Sequence, residues 1–128
     1  MLFRSPFPFK IQVDLTPPDD LEFTDFNWPI TPSGFTNLLL RLHQDWPQIP
    51  EYIITENGCS YHDEPDETGQ VNDHRRVKFF NDHITAVAKA IETGVPITGY
   101  YAWSLLDNFE WASGYQERFG LEIGRAHV

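Results

Sequence analysis

Two short apolar runs, Tyr52 to Thr55 and Ile97 to Leu105, are separated by one long amphipathic stretch, and that order limits the folds open to this chain. Both runs are rich in β-branched and aromatic residues, which reads as strand. Between them Val77, Phe80, Ile84, Val87, Ala88 and Ile91 recur every three or four positions. A helix is therefore predicted from about Asp73 to Thr93, with Asp73 as N-cap and Gly94 then Pro96 as the stop. An earlier helix is predicted from about Ser33 to Trp46, opened by Pro32-Ser33-Gly34, closed by Pro47 and striped by Leu38, Leu39 and Leu42. A polar loop follows the first strand and runs through Val71. Helix, strand, helix, strand is the alternation of an α/β fold with a parallel sheet.

The first strand ends in Thr55-Glu56-Asn57-Gly58. An apolar run that delivers a carboxylate into a turn makes Glu56 a candidate nucleophile, because burying a Glu there is costly without a purpose. The same residues also read as a solvated turn, with Asn57-Gly58 tolerating a left-handed exit. The second strand leads into a loop dense in aromatics and carboxylates, from Gly99 to Gly120. Sugar binding has that composition: a pyranose offers an apolar C–H face that stacks on an indole and a rim of hydroxyls that carboxylates and indole N–H groups fix in place. Trp103, Glu110 and Trp111 meet those needs, although large aromatics are more often core.

These segments resemble family 1 glycoside hydrolases, the retaining β-glucosidases and their relatives. The resemblance runs from about Thr24 to Leu121. It is carried by Asp25-Phe26-Asn27-Trp28-Pro29-Ile30-Thr31-Pro32-Ser33-Gly34, Thr55-Glu56-Asn57-Gly58, Asp73-His74-Arg75-Arg76, Ala90-Ile91-Glu92-Thr93-Gly94-Val95-Pro96 and Trp103 to Gly120, in that order. It implies that Glu56 is the catalytic nucleophile at the end of the seventh strand of a (β/α)8 barrel. It further implies that Trp103 lies beneath the sugar, Glu110 grips the 4- and 6-hydroxyls, Trp111 donates to the 3-hydroxyl and Phe119 closes the pocket around the 6-position. Asp107 and Asn108 match motif positions and read as loop builders that bond the backbone.

The implied reaction needs no metal or other cofactor. Glu56 attacks the anomeric carbon while a second carboxyl group, about 5–5.5 Å away, protonates the departing oxygen and then activates water. In the family that second group belongs to an Asn-Glu-Pro motif, which does not occur here. Asp63-Glu64-Pro65 is the nearest substitute, but it sits among Asp, Pro and Gly and reads as a solvated loop. A barrel needs about 250 residues, so these 128 are expected to be the last helix-strand-helix-strand units of one catalytic domain, with the acid/base upstream. The isolated chain is expected to be inactive; a non-catalytic carbohydrate-binding fragment or a structural remnant are the alternatives. Residues of about 1–5 and 122–128 break the family pattern and are expected to be non-native ends.

Six-phosphorylated substrates are disfavoured, because Glu110 would repel a phosphate in a pocket of low dielectric. A β-glucoside or oligosaccharide is the expected partner, with glucose, galactose and fucose unresolved. A net charge of −10 disfavours nucleic acid and anionic lipid. No apolar run approaches the ~20 residues that span a membrane. Met1 to Lys10 holds prolines where a signal peptide needs a continuous apolar core, and a cytoplasmic location is expected. The one cysteine, Cys59, reads as a small packed residue. The five histidines show no metal-ligand spacing.

Overall fold

The computed structural model describes residues 20–126. Met1 to Lys10, with the expected non-native end at about 1–5, and positions 127–128 of the other expected non-native end lie outside them. Helix α1 spans Pro32–Asp45, strand β1 Tyr52–Gly58, helix α2 His74–Glu92 and strand β2 Ile97–Trp103; two short strands follow, β3 at Leu106–Asp107 and β4 at Glu122–Ala126. β1 and β2 are parallel and adjacent, as the alternation predicts, and β3 pairs with β4.

Both helices cover one face of the β1–β2 sheet. Leu39 of α1, Val87 and Ala90 of α2, Ile54 of β1 and Val95 before β2 form the core, with Phe35, Leu40, Tyr52, Ile97 and Tyr100 packed around them. Proline opens α1, where a missing N–H costs nothing. The Tyr52 hydroxyl shares its proton between the carbonyls of Leu42, in the last turn of α1, and Trp46, its C-cap, both at 3.3 Å, and so fixes that helix to the start of β1. Gly94, at φ +104°, ends α2 in the left-handed region as the sequence predicts.

The predicted helical stripes are shifted in the structure. On α2 the buried residues are Arg76, Phe79, His83, Ala86, Val87 and Ala90, while Val77, Ile84 and Ile91 are exposed. Ala90 joins the core with Ile54 and Val95, and beside Ala86 the Thr36 hydroxyl of α1 donates to the Ala86 carbonyl at 3.0 Å, so small side chains occupy the face of α2 that is covered. Leu38 on α1 is likewise exposed beside buried Leu39. Asp73 does precede α2, but its carboxylate makes no capping bond; it accepts from Arg76 Nη1 at 2.6 Å instead. A charge-assisted bond to a buried guanidinium is the stronger competitor.

β1 also extends further than the apolar run, through Glu56 to Gly58, and β2 stops at Trp103. Glu56 thus lies in a strand rather than in a turn, and neither Asn57 nor Gly58 has a positive φ. The glycine serves another purpose: a Cβ at position 58 would lie 1.8 Å from the Trp103 carbonyl oxygen. Close passage of two strands, not a left-handed exit, is what requires glycine here.

Candidate active site

The register of the parallel pair positions Glu56. Ile54 is opposite Tyr100 and Asn57 opposite Ala102, so β1 carries one residue more than β2 across Thr55-Glu56. Such a bulge bends the strand locally and re-aims a side chain, which is why bulges occur beside active sites. Beyond it, Tyr100 Oη donates to Asn57 Oδ1 at 2.7 Å and re-anchors the strand end; burial pushes that phenol up to about 12, so it stays a donor.

Glu56, Asn57 and Gly58 then open into a cleft of about 370 Å³, whose walls include Trp103 at the end of β2, Glu110, Phe119, Trp28, Pro29, Thr24, Phe79 and His83. Four of the five residues singled out from sequence are brought together there. The fifth, Trp111, is not: it follows Glu110 on a tight turn and is 95% exposed, outside the cleft. The turn is closed by Glu110 N–H donating to the Gly114 carbonyl at 2.7 Å and Ser113 N–H to that of Glu110 at 3.0 Å, with Gly114 at φ +63°.

Phe119 is 1% exposed, and its ring meets Trp28 at 5.8 Å and Phe26 at 5.9 Å between centroids. Its carbonyl accepts from Ser104 N–H at 3.0 Å, directly after Trp103, and the Asp107 carboxylate accepts from Gly120 N–H at 2.8 Å. Asp107 therefore builds the loop, as its motif position predicts. Asn108 Oδ1 is buried without a partner. Asp63-Glu64-Pro65 stays outside the cleft, with Asp63 beside Arg75 and Arg76 and Glu64 exposed near Arg118.

Sequence reasoning did not single out Trp28, Pro29, Thr24, Phe79 or His83. Trp28-Pro29 lies within the Asp25 to Gly34 segment that carries the resemblance, whereas Phe79 and His83, one helical turn apart, belong to no motif. Their rings stack at 3.9 Å, and His83 Nδ1 lies 2.8 Å from the Phe79 carbonyl, which fixes the imidazole as donor there. Burial holds His83 below its ordinary value. The segment carrying Trp28 is tied down by Asp25, which accepts from Arg75 at 2.7 and 2.9 Å and from His62 N–H at 2.8 Å. The Arg75 bonds, with burial opposing them, bring the Asp25 carboxyl down to about 2. Cys59, next to the strand end, is fully buried and its thiol is pushed up to about 12 by burial, consistent with a packed residue.

Among the described residues no group of three or more His, Cys, Asp or Glu is placed to hold a metal, and no helix is long and apolar enough to cross a membrane. Residues 10–125 match Glycosyl hydrolase family 1. This chain belongs to that family. Among family 1 relatives, the chain is 45% identical to Beta-glucosidase A of Thermotoga maritima over 102 residues, which is 80% of this chain and 23% of the relative. It is 38% identical to the 6-phospho-beta-galactosidase of Lacticaseibacillus rhamnosus over 108 residues, 81% of this chain and 23% of that protein. Its structure matches that of the Thermotoga maritima beta-glucosidase in complex with cyclophellitol, with a TM-score of 0.77 at 43% identity, over 86% of this chain and 24% of the other. The chain thus spans about a quarter of the family 1 proteins it matches, and its α/β unit corresponds to part of their barrel.

Proposed function

We propose that the chain is the C-terminal part of a retaining β-glucosidase barrel, with Glu56 as the nucleophile. The observation that carries this reading is the bulge in β1, which delivers Glu56 into a cleft shared with Trp103, Glu110 and Phe119. Ionised Glu56 adds to the anomeric carbon of a terminal β-D-glucosyl or related β-glycosyl residue, the aglycone leaves, and water later cleaves the glycosyl ester; two inversions retain the configuration. Glu110 is the second carboxylate of the cleft. Its part is to accept from the 4- and 6-hydroxyls while Trp103 stacks on the ring and Phe119 closes around the 6-position. Trp111 joins as a donor to the 3-hydroxyl only where the rest of a barrel brings its turn inward. The proton donor to the leaving group comes from outside this chain.

The test is covalent trapping in the complete protein that carries this segment. A 2-deoxy-2-fluoro-β-glucoside with a good leaving group should accumulate as a glycosyl ester, and peptide mass spectrometry should find the added mass on Glu56. A label on Glu110 or on any other carboxylate would reassign the nucleophile.

The relatedness to 6-phospho-beta-galactosidases supports a second reading, hydrolysis of a 6-phosphorylated glycoside. Glu110 in the cleft argues against it, because a carboxylate beside a phosphate in a water-poor pocket is repulsive. Comparing phosphorylated with unphosphorylated substrate decides between the two.

A further inference from the structure

We propose that Arg76 is a positioning residue for substrate selection, acting through Phe119; the inference rests on the reading of Phe119 given above. Arg76 is 1% exposed, although it carries a full charge. A buried guanidinium is costly unless its donors are engaged, so where those donors go is informative. Nη1 donates to Asp73 Oδ2 at 2.6 Å, which anchors the side chain to the residue that precedes α2. Nη2 reaches across to the Arg118 carbonyl at 3.1 Å, and that carbonyl also accepts from Tyr61 N–H at 3.2 Å.

The Arg118 carbonyl belongs to the peptide bond that leads into Phe119. One side of Phe119 is therefore held by Arg76, and the other by Ser104 N–H on the Phe119 carbonyl at 3.0 Å. The ring packs on Phe26 and Trp28 and lines the cleft. An arginine suits this task because its planar fork serves two acceptors at once from a single pre-organised group. A lysine at 76 would keep the charge facing Asp73 and lose the second arm. Without that arm the Arg118 carbonyl keeps only Tyr61 N–H, while Arg118 N–H stays on Ser60 Oγ at 3.1 Å, so the 118–119 peptide is held less tightly and the cleft wall at the sugar's 6-position loosens with it.

The experiment compares an aryl β-glucoside with the matching aryl β-xyloside, which lacks the 6-hydroxymethyl group, in the complete protein and its Arg76→Lys, Arg76→Met and Phe119→Ala variants. The ratio of kcat/KM for the two substrates is independent of the fraction of active protein, so a purely structural loss leaves it unmoved. Phe119→Ala should lower the glucoside preference by about tenfold, the scale of a lost apolar pocket contact. Arg76→Lys should lower it several-fold, chiefly through a higher KM for the glucoside, and should add little when combined with Phe119→Ala. Arg76→Met, which abandons the Asp73 anchor as well, should lower it at least as far. A glucoside preference that is unchanged in both Arg76 variants but reduced by Phe119→Ala would overturn the role of Arg76. A preference unchanged by Phe119→Ala would instead overturn the reading of the pocket, and this inference with it.

Discussion

Gly58 and Trp103 meet where the two long strands end: a Cβ on Gly58 would lie 1.8 Å from the Trp103 carbonyl oxygen and 2.8 Å from its carbon. Backbone rather than a flexible side chain occupies that space, so Gly58→Ala must push the ends of β1 and β2 apart. Overpacking of this kind costs about 1–3 kcal/mol or more. In the complete protein the variant should melt earlier and lose activity beyond that, because Glu56 and Trp103 separate. A variant with unchanged Tm and kcat/KM would show that the strands pass less closely than described.

Removing the Glu56 carboxylate should come close to abolishing turnover in the complete protein, since the covalent step has no other nucleophile. Steady-state hydrolysis by Glu56→Ala is the measurement, and retention of most of the rate would exclude the assignment. The isolated chain should not turn over an unactivated β-glucoside at all.

Glu110→Ser should raise the kcat/KM of a 6-phosphoglucoside relative to the glucoside, by relieving like-charge repulsion while weakening the grip on the free hydroxyls. Trp103→Ala should raise KM for both substrates by up to about tenfold, the worth of an aromatic contact, and leave their ratio near its original value. An unaltered ratio in Glu110→Ser means that Glu110 does not face the 6-position.

Burial holds His83 below its ordinary 6.5, and the Nδ1–H bond to the Phe79 carbonyl opposes that shift without cancelling it. The unfolded chain then binds the extra proton first as pH falls. The native state keeps its full advantage from this group above about 6.5 and loses it progressively below that value. Titration of the His83 ring by NMR in the complete protein should give a midpoint below 6.5, and a midpoint at or above it would contradict the buried, neutral imidazole.

The isolated chain should show helical far-UV signal without a cooperative melt. Ile53, Tyr101 and Leu105 are exposed, and among the described residues helices cover one face of the two-stranded sheet. Apolar burial at about 25 cal/mol per Å² must offset roughly 1.5 kcal/mol of ordering per residue, and a single covered face forfeits much of that burial. A sharp, reversible transition in a monomer would refute this.

The parallel strands and both helices were legible because periodicity and turn residues report local structure. The buried face of α2 was not, because Ala86 and Ala90 carry a weaker apolar signal than Val77, Ile84 and Ile91, Arg76 and His83 carry a polar one, and the choice of face depends on what the helix packs against. The motifs single out Glu56 and Glu110, and the fold brings both to one cleft, yet the reason for Gly58 is not the one its sequence suggests. A close approach between residues 45 apart in the chain leaves no mark on either local pattern. The position of Trp111 depends in the same way on neighbours that a local motif does not encode.

Cys59 holds a built-in clock for the opening of this region. Its thiol is fully buried and pushed up to about 12, so neither reagent access nor thiolate exists while the strand end stays packed on Tyr61 and Phe79. Alkylation at position 59 therefore waits for a local opening, and its rate, followed on the peptide that also carries Glu56, times how often the end of β1 comes loose.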